Sequence, residues 1–148
     1  MPTKDFANFY KNLSDTELRE HLYCLELVVE KSKIGTWQLE VPTGQLKVNR
    51  YFADLLGFTW SPDLNVSFDD ALAIIHPADR KHTKQHFKAC LEGKLDHLEV
   101  KFRVKFVDNS WHWIRDIGTV ICRSDDGRAE KIAGSWFDIH DMVESGQR

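Results

Sequence analysis

No apolar run in this chain approaches the roughly 18 residues needed to cross a bilayer, and the opening Met1-Pro2-Thr3-Lys4-Asp5 carries no apolar signal core. The chain therefore reads as cytoplasmic, with no membrane partner. Cysteine is scarce: Cys24, Cys90 and Cys122 are odd in number, far apart and in no Cys-x-x-Cys spacing, which fits reduced, mostly buried thiols rather than a disulfide frame or a zinc site. Charge of one sign is lacking too. With 20 Lys and Arg against 23 Asp and Glu the formal charge is -3, so no nucleic-acid surface is indicated, and a hydrophobic content of 42% is that of a folded chain. Repeats, low-complexity tracts and interdomain linkers are absent, and 148 residues form one domain most economically. Also missing are a Gly-x-Gly-x-x-Gly, a phosphate loop, a nucleophile elbow and a His-Glu-x-x-His. The acidic pairs Asp69-Asp70 and Asp125-Asp126 fall at a helix start and in a turn, where dipole and turn chemistry account for them. The chain reads as a non-enzyme.

What is present is a strong strand pattern. Leu98, Val100, Phe102, Val104 and Phe106 alternate with Glu99, Lys101, Arg103 and Lys105. Period two sends every second side chain to the same face, so the run predicts an antiparallel strand with one apolar and one charged face. Asp108-Asn109-Ser110 supplies a turn, with Asn109 suited to a left-handed backbone. The return run, 111–122, has Trp111, Trp113, Ile117 and Ile121 in one register and Ile114, Val120 and Cys122 in the other. It predicts a central strand with both faces covered. After Ser124-Asp125-Asp126-Gly127, residues 131–139 complete a three-stranded meander.

Upstream, Phe6, Phe9 and Tyr10 have helical spacing, and Ser14-Asp15-Thr16-Glu17 has the form of a capping box. The amphipathic helix it starts carries Leu18, Leu22, Leu25 and Val29 in a two-heptad seam and ends near Lys33. Two readings stay open for that stripe: packing on its own domain, against the second face of the 111–122 strand, or the seam of a homodimer. Residues 34–41 and 45–49 predict two short strands joined by Pro42-Thr43-Gly44. Tyr51, Phe52, Leu55 and Leu56 form a helical face closed by Gly57, and Ser67 caps a helix with Phe68, Leu72 and Ile75 inward. His76-Pro77 stops that helix and opens another, to Leu91.

In this order and at these spacings, six groups of residues resemble a PAS sensory domain with its PAC motif, of the bacterial signalling type. They are Gly35-Thr36-Trp37 with Thr43-Gly44; Leu55-Leu56-Gly57-Phe58; His76-Pro77-Ala78-Asp79-Arg80; Glu99 with Phe102-Arg103; Asp108-Asn109-Ser110 with Trp113-Ile114; and Gly134-Ser135-Trp136-Phe137-Asp138-Ile139. The resemblance covers residues 34–141, leaving 1–33 as an N-terminal helical extension and 142–148 as the start of a C-terminal linker. It implies an α+β fold, a five-stranded antiparallel sheet of order 2-1-5-4-3 with short helices on one face. It also implies a sensor that controls an output domain, a histidine kinase of a two-component system or a diguanylate cyclase, in the same or a partner chain. Two positions depart from the pattern. Asn109 stands where the family has glycine, which left-handed geometry tolerates. Relatives end in Asp-Ile-Thr, whose polar side chains tie the last strand to the output helix. Here Asp138 carries over as a signal-output residue while His140 replaces the threonine; it is expected to be a solvated histidine at a strand end, with a pH-sensitive substitute as the alternative.

The apolar pocket between helices and sheet is expected to be lined by Trp37, Leu39, Phe52, Leu56, Phe58, Phe68, Leu72, Ile75, Thr83, Phe87, Leu91, Phe102, Val104 and Trp136. It is either a small-molecule site or a filled core used for packing and dimerisation, because such a layer must be filled in both cases. No cofactor is required. Flavin-binding light sensors of the superfamily carry an adduct-forming cysteine, and residues 69–79 hold none. Haem-binding relatives place an axial histidine on the longer helix, where His82, His86 and Cys90 recur at i, i+4 and i+8. Alignment on Asp79-Arg80 instead puts Thr83 at the ligating position, where with Phe87 and Leu91 it makes the better inward face. Haem on His82 or His86 is the disfavoured alternative, and zinc on those histidines with Cys90 lacks a fourth ligand.

Overall fold

A computed structural model describes residues 4–144 and Gly146. Met1 to Thr3, and residues 145, 147 and 148 of the expected linker, lie outside the described residues. Helices α1 (Lys4–Lys11) and α2 (Asp15–Lys31) precede strands β1 (Gly35–Glu40) and β2 (Gln45–Val48). Helix α3 (Arg50–Leu56), strand β3 (Asn65–Ser67) and helices α4 (Phe68–Ala73) and α5 (Pro77–Leu91) follow. The chain closes with β4 (His97–Lys105), β5 (Trp111–Arg123), β6 (Ala129–Asp138) and α6 (His140–Glu144).

The strands form one antiparallel sheet of order β3-β2-β1-β6-β5-β4. The five expected strands stand in the expected order, and β3 adds a sixth at the edge. Three residues are too few to show an alternation, and β3 is recruited by the outer backbone groups of β2. Local signals decide the element ends. Ser14 and Glu17 form both bonds of the capping box, at 3.2 and 3.0 Å. Gly57 closes α3 at φ 80°, and Asn109 takes the left-handed position of the β4–β5 turn at φ 69°.

Leu98, Val100, Phe102, Val104 and Phe106 are all buried, and α3, α4 and α5 roof that face. The inward register of β5 is Ile114, Asp116, Gly118 and Val120, while Trp113 and Ile117 on its other face are half-buried. Helix α2 does not supply the expected cover. None of its residues is buried, Leu22 and Tyr23 are 58% and 70% exposed, and Leu18 and Val29 are half-buried. The Ser32-Lys33 joint, with Lys33 at φ 59°, feeds β1 without burying the helix in its own domain. Phe9 and Tyr10 of α1 rest their rings on His21 of α2 at 5.6 and 5.7 Å. Burial of the thiols also differs from expectation: Cys90 is buried, whereas Cys24 rides on exposed α2 and Cys122 lies at the irregularity that ends β5.

Asp79 and Arg103, which entered the sequence reading as separate motif residues, turn out to be one clamp between α5 and β4. Asp79 Oδ2 accepts from the Arg103 backbone N at 2.8 Å and from Nε at 2.9 Å, and Oδ1 accepts from Nη2 at 3.0 Å. Burial pushes the Asp79 carboxyl up, but the Arg103 hydrogen bonds and charge outweigh it and hold it below its ordinary value. The folded state therefore binds this proton less tightly than the unfolded chain. Its contribution is present above the ordinary carboxylate pKa of about 4 and is lost as pH falls through the lower folded value. Asp79→Ala should cost about 2–4 kcal/mol by urea unfolding at neutral pH, because it strands Arg103 beside a buried site. A cost under about 0.5 kcal/mol would show the clamp to be dispensable.

Candidate functional site

The site begins with a row across the sheet. Trp37 on β1 lies opposite Gly134 on β6, Gly134 lies opposite Gly118 on β5, and Gly118 opposite Leu98 on β4. Two adjacent residues without side chains leave a trough, and the Trp37 indole occupies it. A Cβ on Gly134 would come within 2.5 Å of Trp37 Cζ2, and one on Gly118 within 2.9 Å of Cη2. So placed, the indole delivers Nε1 to Asp116 Oδ1 at 2.8 Å. Trp136 lies directly opposite Asp116 across β5 and β6, and its indole N–H side favours the charged carboxylate.

Asp116 is 2% exposed. Burial pushes its pKa up to about 7, with the Trp37 hydrogen bond and the Trp136 indole offsetting part of the rise. It forms part of the wall of a cavity of about 30 Å³ between the sheet and α3 to α5. Of the expected pocket residues, Trp37, Phe52, Phe68, Leu72, Ile75, Thr83, Phe87, Phe102 and Trp136 line this cavity. Leu39 and Val104 are buried elsewhere in the core, and Leu56, Phe58 and Leu91 pack half-buried at its edge. The aromatic rings of the wall pack closely: Phe52 stands 4.0 Å from Trp136, and Phe68 5.1 Å from Phe87, centroid to centroid. Leu46, Ala71 and Asp116 were not anticipated. For Asp116 the signal was legible: an aspartate in the same register as Ile114 and Val120 of a central strand must face the core.

The histidines of α5 stand aside from the cavity. His82 Nε2 lies 2.9 Å from the Lys101 carbonyl on β4, and His86 Nδ1 lies 2.8 Å from the His82 carbonyl. Thr83 is the buried residue between them, and its hydroxyl donates to the Asp79 carbonyl at 2.8 Å. Among the described residues no group of three or more His, Cys, Asp or Glu side chains is placed to hold a metal ion, and no helix is long and apolar enough to cross a membrane.

At the far end of β6 the output residues form a second cluster. Asp138 Oδ1 accepts from the His140 backbone N at 3.0 Å, at the start of α6, and Oδ2 lies 3.0 Å from His112 Nδ1. His112 stacks on Phe106 at 4.0 Å and 9°, and the His140 ring lies 4.7 Å from it. His140 is therefore half-buried at the start of a helix, not solvated at a strand end. The strand stops one residue earlier than expected, at Asp138, and the chain turns inward toward His112.

The PAS fold family matches residues 45–135, most of the chain. The chain belongs to the PAS family. Solved PAS structures agree with the topology. A sensory box histidine kinase/response regulator from Burkholderia thailandensis E264 superposes with a TM-score of 0.67 at 24% identity, covering 82% of this chain and 88% of that one. The N-terminal domain of a diguanylate cyclase with PAS/PAC sensor from Marinobacter aquaeolei gives 0.62 at 25% identity, over 74% and 98%. A PAS domain from Colwellia psychrerythraea gives 0.61 at 15%, over 84% and 98%. No curated protein sequence matches this PAS chain.

Proposed function

We propose that the chain is a non-catalytic sensory module of bacterial signal transduction. A small molecule in the Asp116 cavity would bias the packing of the flanking helices and so control a histidine kinase or diguanylate cyclase output domain, in the same or a partner chain. The observation that carries this reading is that β6 belongs to both sites: Trp136 walls the cavity and Asp138, two residues on, holds the start of α6. A displacement of the Trp136 indole is thereby passed along one strand to the exit helix. The solved neighbours from a sensory box histidine kinase and a diguanylate cyclase with PAS/PAC sensor support the choice of output. Haem and a photoactive flavin are not part of the reading, since Thr83 rather than a histidine faces the cavity and no cysteine lines it. Native mass spectrometry of the purified protein, with thermal melts over a metabolite panel, tests it: a retained small molecule or a ligand-dependent rise in Tm is expected.

A second reading, a protein-interaction and dimerisation module with no ligand, is favoured by the small size of the cavity, about 30 Å³. A melt indifferent to the whole panel would select it. Both readings place a second copy of the chain on α2, whose stripe keeps Leu22 and Leu25 exposed and Leu18 and Val29 only half-buried. Sedimentation is expected to give twice the chain mass for the full chain and a smaller mass for one beginning at Lys33. Equal mass per chain in the two would remove α2 from the interface.

A further inference from the structure

Asp116 sits in the core without a countercharge. Among the described residues no Lys, Arg or His side chain lies within ion-pair distance of it. A buried carboxylate is ordinarily paired with a cation, because the cost of removing its charge from water is otherwise uncompensated. One indole N–H, from Trp37, fills part of its acceptor capacity at 2.8 Å, with Trp136 directly opposite on β6, and a carboxylate offers about four lone-pair positions. The rest of the wall is ring: Phe52 and Phe102 lie 4.0 and 5.8 Å from Trp136, and Phe87 5.6 Å from Trp37. Aromatic faces attract a cation through their quadrupole and also pack against alkyl groups. Carboxylate and rings together are complementary to one kind of ligand.

We propose that the cavity takes a compact organic cation, a small protonated amine, with its ammonium group against Asp116 and its alkyl part among the rings of Trp37, Trp136, Phe52 and Phe87. This rests on reading the cavity as a ligand site. The volume sets the scale: about 30 Å³ exceeds the roughly 10–15 Å³ that a single water needs on the same measure, and suits an ion of a few heavy atoms. A larger amine requires movement of Phe68, the half-buried wall residue at the first turn of α4.

The full chain is titrated with methylammonium chloride, against sodium chloride at equal ionic strength, and in parallel with xenon as a neutral occupant. Tryptophan fluorescence and Tm are followed. The expected result is a saturable fluorescence change and a rise in Tm with methylammonium but not with sodium. Binding should be at least tenfold weaker in Asp116→Asn, which keeps its xenon response. Phe87→Leu, which leaves the carboxylate intact and removes one ring, should weaken methylammonium several-fold. Xenon binding without methylammonium binding would overturn the cation assignment and leave a ligand pocket. Binding of neither would overturn both, and equal methylammonium affinity in Asp116→Asn would overturn the role of the carboxylate.

Discussion

Between about pH 4 and pH 8, the difference in unfolding free energy between the native chain and its Asp116→Asn variant should change by about 4 kcal/mol. The cause is burial. In water an aspartate carboxyl has an ordinary pKa of about 3.8, and burial inside the sheet pushes that of Asp116 up to about 7. The folded state therefore holds the proton more tightly than the unfolded chain, so this group's contribution is complete below the unfolded pKa. It is lost as pH rises through the folded one. A gap of about three pKa units corresponds to about 4 kcal/mol. Asparagine cannot titrate, and other groups cancel when the two proteins are compared at each pH. The native chain should lose stability relative to the variant on going from pH 4 to pH 8, measured by urea unfolding at each pH. Parallel curves would mean that Asp116 keeps an ordinary pKa, solvated by water that reaches it. Asp79 acts in the opposite sense and in a lower window, since its contribution disappears only as acid protonates it.

Gly134→Ala should destabilise the protein by about 2–4 kcal/mol and quench or shift the Trp37 emission. The argument is steric rather than conformational, because Gly134 is not in a left-handed conformation. Its Cβ would stand 2.3 Å from the Ile117 carbonyl oxygen and 2.5 Å from Trp37 Cζ2. The first is backbone held by the β5–β6 pairing and the second a ring held by its hydrogen bond to Asp116, so neither yields cheaply. Gly127→Ala, at a turn where a Cβ would meet nothing within 4 Å, separates this effect from glycine loss in general, although φ 87° there carries its own conformational cost. A Gly134→Ala protein within about 0.5 kcal/mol of the native chain would show that the trough is not needed to seat the indole.

The meander was readable residue by residue because its alternation is strict: every apolar residue of 98–106 points inward, as period two requires. The caps and turns were readable for the same local reason, from Ser14 with Glu17, Gly57 and Asn109. The helix stripe of α2 was readable as a stripe but not as to its partner, since amphipathicity reports that a face will be covered and not by what. His140 was misread because the end of β6 depends on the Asp138 carboxylate, whose other oxygen is engaged by a histidine 26 positions earlier.

By itself the sequence determined the elements other than β3 and α6, and it determined that one face of the sheet would be roofed by aromatic and aliphatic side chains. Periodicity and turn chemistry are local, and local order was sufficient for those. The sheet order and the family came with the resemblance of its motifs to PAS domains. Only the tertiary structure decided how much space the roof leaves, and that the space ends on Asp116. Cavity volume and the burial of a charge are sums over side chains from β1, β2, β4, β5, β6 and three helices, and no window of sequence contains that sum.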